Sequence, residues 1–280
     1  MIYGFILLAV LGGVALTLFP VRLSEIKITR SKKLSPAQEI ANQLLKNNYN
    51  LDLPVYKFYD TLIFDLISFQ KRFGANLTSA FVEIRKALNL DMKVDLRIKN
   101  LKQSSYFQYL TMCGFTWLML THMSSSLGIT LDSLDLMLVF VWQGIGLLAF
   151  RCILKVLTKR ICDPFLPLFE LVYSVRCQFK VSRPIQEIKE NMEKFIQCHR
   201  GKSLQDMIHR LEFLLEILRT QGKFSLEELD CLCEESWNSY EIALEQLEKA
   251  MVGVKLGSFL FFIVPCYFYS LTLALGQSHI

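Results

Sequence analysis

Charge is scarce in this chain. Asp, Glu, Lys and Arg make up 20% of its 280 residues, and apolar and aromatic residues 52%. Soluble domains hold about 25% and about 45–50%. The deficit is local. No Lys or Arg stands before Arg22, between Ser124 and Ser133, or after Lys255. All 31 fall within residues 22–105 and 151–255. The net charge of +5 is modest, so placement says more than the total. No convincing length alternates with period two, which excludes a strand-rich fold. The eight cysteines (Cys113, Cys152, Cys162, Cys177, Cys198, Cys231, Cys233 and Cys266) have no disulfide-framework spacing. Most read as small buried apolar residues in a reducing compartment.

Four apolar runs lie where charge is missing: Ile2–Pro20, Tyr106–Met123, Leu134–Leu157 and Leu256–Leu275. Each approaches the roughly 20 residues that a helix needs to cross about 30 Å of hydrocarbon. The first has no basic residues ahead of it, and Thr17-Leu18-Phe19-Pro20 is a poor cleavage site. It reads as a retained anchor rather than a signal peptide. The second carries Gln108 and several hydroxyls. Basic residues flanking spans stay in the cytoplasm. Arg22, Lys27, Arg30, Lys32 and Lys33 follow run one; Arg97, Lys99 and Lys102 precede run two. Arg151, Lys155, Lys159 and Arg160 follow run three; Lys249 and Lys255 precede run four. All four agree on outer termini and inner long loops. The competing reading, core helices of a soluble protein, would make this partition a coincidence.

The expected fold is all-α: a polytopic membrane protein with about four transmembrane helices and cytoplasmic helical bundles. The divisions are an anchor at 1–20, a cytoplasmic helical segment at 21–105, a transmembrane hairpin at 106–158, a cytoplasmic bundle at 159–255, and a final span with a short outer tail at 256–280. Ser35-Pro36-Ala37-Gln38 is a capping box with proline at the first helical position. That helix is predicted to reach Lys46, before the turn-rich Asn47–Asn50. Others are predicted over Val55–Arg72, ending at Gly74, and over Leu77–Leu88. Later ones are Leu166–Phe179, a helix from Ser182-Arg183-Pro184 to Cys198, and one capped by Ser203. The last has an apolar stripe of Leu204, Met207, Ile208, Leu211, Leu214, Leu215 and Leu218 and stops at Gly222. Ser225-Leu226-Glu227-Glu228 opens a long helix expected to continue into the last span. The hairpin after Leu53-Pro54 is echoed after Leu166-Pro167, which reads as a duplication.

Chemistry-bearing patterns are thin. Gly201-Lys202-Ser203 looks like the end of a phosphate loop, but position 196 is Ile196, not glycine, and no strand precedes it. Cys231 and Cys233 lie about 200° apart on a helix, and no second pair completes a zinc site. His122, His199, His209 and His279 are scattered. No catalysis, cofactor, metal or nucleic acid is expected. The spans hold essentially no carboxylate, which argues against proton transport. Gln143 is their most polar central group, explained by a helix–helix hydrogen bond.

The second segment resembles the type II secretion F-domain family, inner-membrane platform proteins of secretion systems and type IV pili. The resemblance runs from Asp163 to Leu275. It rests on Leu166-Pro167-Leu168-Phe169-Glu170-Leu171, Gly201-Lys202-Ser203-Leu204, Gln221-Gly222-Lys223-Phe224-Ser225-Leu226-Glu227-Glu228-Leu229, and a helix through Lys249–Leu256 into Phe261-Phe262-Ile263-Val264-Pro265. The amino-terminal anchor and central pair of spans look most like the tight-adherence (Flp) pilus branch. The resemblance implies a platform coupling a secretion ATPase, supplied in trans, to extrusion of pilin or pseudopilin. It implies contacts with lipid and with a second copy or a paralogous platform subunit. The candidate structural or partner-contact residues are Gly74, Leu77, Pro167, Gly222, Leu226, Glu228 and Pro265. The charged faces at Glu187–Arg200 and Glu227–Glu248 are candidate docking surfaces, with a plain solvated face as the competing reading. The alternatives are a membrane transporter or channel, or an unrelated membrane-anchored scaffold.

Overall fold

The computed structural model describes residues 34–45, 53–127, 132–198, 202–221 and 226–278. Among them the chain is all-helical, without a strand. Ile2–Pro20, the basic residues up to Lys33, the Asn47–Asn50 turn, Gly222 and Ser225 lie outside the described residues.

Helix α1 is Pro36–Leu45. Its capping box forms reciprocally: Ser35 N–H donates to Gln38 Oε1 (3.1 Å), and Gln38 N–H to Ser35 Oγ (3.3 Å). Helix α2 is Tyr59–Phe73, four residues shorter at its start than predicted. Lys57 sits at φ +52°, and the carboxylates of Asp91 and Asp95 hold Tyr56 and Lys57, so tertiary contact overrides local propensity there. Gly74 ends α2 at φ +67°, its N–H donating to Gln70 O at 2.7 Å. An added Cβ would meet nothing within 4 Å. Gly74→Ala should therefore cost only the left-handed penalty, about 1–2 kcal/mol. A thermal midpoint equal to wild type would contradict this.

Helix α3 is Thr78–Leu127, 50 residues long and about 75 Å at 1.5 Å per residue. The predicted helix Leu77–Leu88 and run Tyr106–Met123 are parts of this one helix. No glycine or proline interrupts the chain from Thr78 to Cys113. Helix α4 is Ser133–Cys162 and α5 Phe165–Lys180. Pro167 lies in the first turn of α5, where its missing N–H breaks no helical bond. Ser182, at φ +55°, turns the chain into α6, Ile185–Cys198. Helix α7 is Lys202–Gln221. It begins one residue ahead of Ser203, so that serine lies inside the first turn and not at the cap. Five residues of the predicted stripe face inward: Met207, Ile208, Leu211 and Leu215 are buried, and Leu214 half-buried; the side chains of Leu204 and Leu218 lie outside the described residues. Helix α8, Leu226–Ser258, passes without a break through a π-helical turn, Phe259–Ile263, into α9, Val264–Ser278. Pro265 follows that wide turn. Proline lacks the N–H of a regular ladder and its ring crowds the carbonyl four residues back; a π turn is where a ladder absorbs such a break.

The described residues fall into two compact units. One draws on Arg97–Arg160 and Glu245–Ile280 and is called the apolar unit. The other, the charged unit, draws on Thr29–Leu96 and Ile161–Leu244. The two charged segments, predicted as separate stretches, thus build one unit. Within it α2 packs on α5, and α5, α6 and α7 pack on one another.

Two stretches among the described residues, within Ser133–Lys180 and Glu227–Thr272, are long and apolar enough to cross a membrane. Only 22% and 33% of their apolar windows are buried, whereas the core helix of a soluble protein would be mostly covered. Tyr106–Met123 is not among them; Gln108 and its hydroxyls dilute it.

Candidate functional site

In the charged unit, polar groups converge at three points. At the first, Asp91 and Asp95 stand one turn apart on α3 and face the segment before α2. Lys57 Nζ lies 2.6 Å from Asp91 Oδ1 and 3.0 Å from Asp95 Oδ1. The Tyr56 hydroxyl lies 3.0 Å from Asp91 Oδ2 and 2.8 Å from Asp95 Oδ2, with one proton for two acceptors. Burial pushes the Asp91 carboxyl above its ordinary range, and the Lys57 ammonium opposes the shift. The Tyr56 phenol is pushed up by burial and then by the two carboxylates.

At the second point, Arg176 of α5 joins Glu83 of α3 (3.0 Å) to Asp230 of α8 (2.6 Å). At the third, Arg183 reaches both Asp65 oxygens (3.0 and 3.3 Å), lies 3.6 Å from Glu187, and stacks on the Phe69 ring at 4.5 Å. Around these, Trp237 donates to the Tyr173 hydroxyl at 2.7 Å, and Phe165, Phe169 and Tyr240 complete an aromatic cluster. The outward faces of α6 and α8 remain charged: Lys189, Glu190, Glu193 and Lys194 on one, Glu227, Glu228, Glu234, Glu241 and Glu245 on the other.

In the apolar unit, α4 turns Val139, Gln143, Gly146, Phe150 and Leu154 inward at helical spacing. Gln143 is only 5% exposed. Its Oε1 accepts from Trp117 Nε1 at 3.0 Å, and its backbone carbonyl from the Tyr109 hydroxyl at 3.1 Å. The expected interhelical hydrogen bond is therefore present. Its buried Nε2 has no hydrogen-bond partner. Gln143→Leu removes that unsatisfied donor along with the Trp117 acceptor, and intramembrane side-chain bonds average about 0.6 kcal/mol. The substitution should shift stability by less than about 1 kcal/mol. A larger loss on thermal melting would show that Gln143 has a further role.

The sequence-selected residues do not converge; they punctuate helices. Gly74 is the exposed cap of α2, and buried Leu77 leads into α3. Pro167 sits in the first turn of α5, Leu226 begins α8, and exposed Glu228 lies in the first turn of α8. Pro265 follows the π turn. Cys231 is exposed and Cys233 buried, on different faces as their spacing requires. Sequence reasoning missed the Lys57, Arg176 and Arg183 clusters and Gly146. The four-residue spacing of Asp91 and Asp95 was a visible signal for the first. The other two join residues distant in sequence.

No protein family, curated protein or solved structure matches this chain.

Proposed function

We propose that this chain is a non-enzymatic inner-membrane platform of a type IV or Flp-type pilus or a type II secretion machine. It has about four transmembrane helices, both termini outside and the charged unit in the cytoplasm. A secretion ATPase from another chain docks on the charged unit, and its motion passes along α8 into the last span to help lift pilin or pseudopilin from the membrane. The F-domain resemblance supplies these roles.

The apolar unit has its polarity inverted, which supports the membrane part of the reading. Ser105, Gln108, Thr116, Gln143, Ser258 and Ser270 are buried. Phe107, Leu110, Phe115 and Leu118 of α3, Leu138, Phe140 and Leu148 of α4, and Leu260, Phe261 and Phe268 are exposed. Water would penalise that arrangement; lipid favours it. It extends to α3, where Gln108 and Thr116 of Tyr106–Met123 turn inward. Coupling rests on a single observation: the helical path from Leu226 to Ser278 is unbroken.

The test is affinity purification of the full chain from native membranes, together with its deletion. Recovery of a hexameric ATPase and loss of pili or secretion are expected. No associated ATPase, with pili and secretion intact after deletion, would overturn the reading.

A further inference from the structure

Within the apolar unit, a groove of about 480 Å³ runs between α4 and the stretch where α8 enters the π turn. Small-ligand sites occupy roughly 300–1,000 Å³. Trp142, Ile153, Val254, Gly257, Phe261 and Phe262 line it, and nearly all of that lining is apolar. Its walls are open: Phe261 is 72% exposed, Ile153 45% and Trp142 42%. A Cβ built on Gly257 would meet nothing within 4 Å, so the groove reaches bare backbone there. Its depth is set by charge. No Asp, Glu, Lys or Arg lies between Asp135 and Arg151 or after Lys255. Ile153 and Val254 therefore stand at the charge boundary. Trp142 and Phe262, with ring centroids 5.9 Å apart, lie about 10–14 Å inside it at 1.5 Å per residue.

The mouth of the groove carries cations. Arg160 follows Trp142 by five helical turns and Ile153 by about two, so it shares their face of α4. Lys249 stands one turn before Gly253 on α8. Both are exposed, and neither forms an ion pair among the described residues. The carboxylate next to Lys249, Glu248, is held by Arg97 at 2.8 Å; Glu245 lies one turn farther from the groove. Both cations stand within about 14 Å of the charge boundary, and long basic side chains reach back along apolar surface toward the headgroup layer. Apolar clefts between spans with basic residues on the cytoplasmic side suit anionic lipid headgroups.

We propose that the groove holds one anionic phospholipid of the cytoplasmic leaflet, an acyl chain between α4 and the π turn and its phosphate at Arg160 and Lys249. This rests on the membrane reading above. The test is native mass spectrometry of the full chain released from nanodiscs of equal phosphatidylglycerol and phosphatidylcholine. Retained phosphatidylglycerol should exceed phosphatidylcholine at least fivefold. Arg160→Gln with Lys249→Gln should abolish the preference, and Gly257→Leu, which fills the groove, should abolish retention. Arg151→Gln with Lys155→Gln, on the opposite face of α4, should leave both unchanged. Equal retention of the two lipids, an equal loss in the opposite-face variant, or a second copy retained in place of lipid overturns the proposal. Phosphatidylglycerol with a diazirine in its acyl chain locates the site without any substitution. Capture of peptides holding Ile153 or 254–262 supports it, and capture confined to other segments overturns it. Epitope tags inserted at 129 and 223 separate the two failures. Tags on opposite faces with no lipid preference sink this site alone; tags on one face sink the membrane reading with it.

Discussion

Gly146→Ala is expected to destabilise the apolar unit by about 1–3 kcal/mol, the usual cost of overpacking a filled core. Gly144→Ala, two residues away, should be neutral or stabilising by up to about 1 kcal/mol from helix propensity. The contrast lies in what each new methyl group meets. At Gly144 it meets nothing within 4 Å. At Gly146 it would stand 2.6 Å from Phe262 Cγ and 2.8 Å from Phe262 Cβ, and against the Tyr109 hydroxyl. Phe262 Cβ is bonded to the backbone, so a rotamer change cannot clear the clash; α4 and the π turn must separate. That separation also disturbs the Tyr109 bond to the Gln143 carbonyl. Thermal melting in detergent, on matched preparations, checks both variants. Equal midpoints for the two would refute the packing argument.

Arg176→Met should cost about 3–5 kcal/mol, the range for removing one partner of a buried ion pair. The Glu83 and Arg176 side chains are 10% and 13% exposed. Without the guanidinium, Glu83 keeps only Lys86, at 3.3 Å and 68% exposed, where solvent weakens the attraction. Methionine fills similar volume, so the loss is mainly electrostatic. Glu83→Gln in the same chain should therefore recover a large part of it, since the stranded charge is gone. A double-mutant cycle on the thermal midpoint measures the coupling. Strictly additive losses would mean that the pair contributes through packing alone.

Local signals were legible in the sequence because their causes are local. The Ser35 capping box, the glycine after α2 and the inward stripe of α7 depend on residues within a turn or two of each other. The start of α2 was not legible: Tyr56 and Lys57 are held by Asp91 and Asp95, more than thirty residues on. The length of α3 was obscured by a change of surroundings. Its first half carries an amphipathic pattern and charges, its second half an apolar surface, and the change in pattern resembles a boundary although no breaker residue is present. The ion-pair clusters were hidden for the same reason as the start of α2. A charge on a solvated face and a charge aimed at a distant partner look alike in one sequence.

The wide turn at Phe259–Ile263 carries one residue more than the α-helical count, so it resets the phase of everything after it. Residues up to Ser258 and residues from Val264 on obey two numbering frames, offset by about 100°, one residue's rotation. A heptad or small-residue stripe counted straight across the turn will pick the wrong side of the rod. Deleting one residue there would turn the wide turn into an ordinary α turn and merge the two frames, leaving Cys266, Tyr267 and Ser270 facing the neighbours they now meet. A relative with a one-residue gap in this turn should be read as lacking the wide turn, with the same faces kept beyond it.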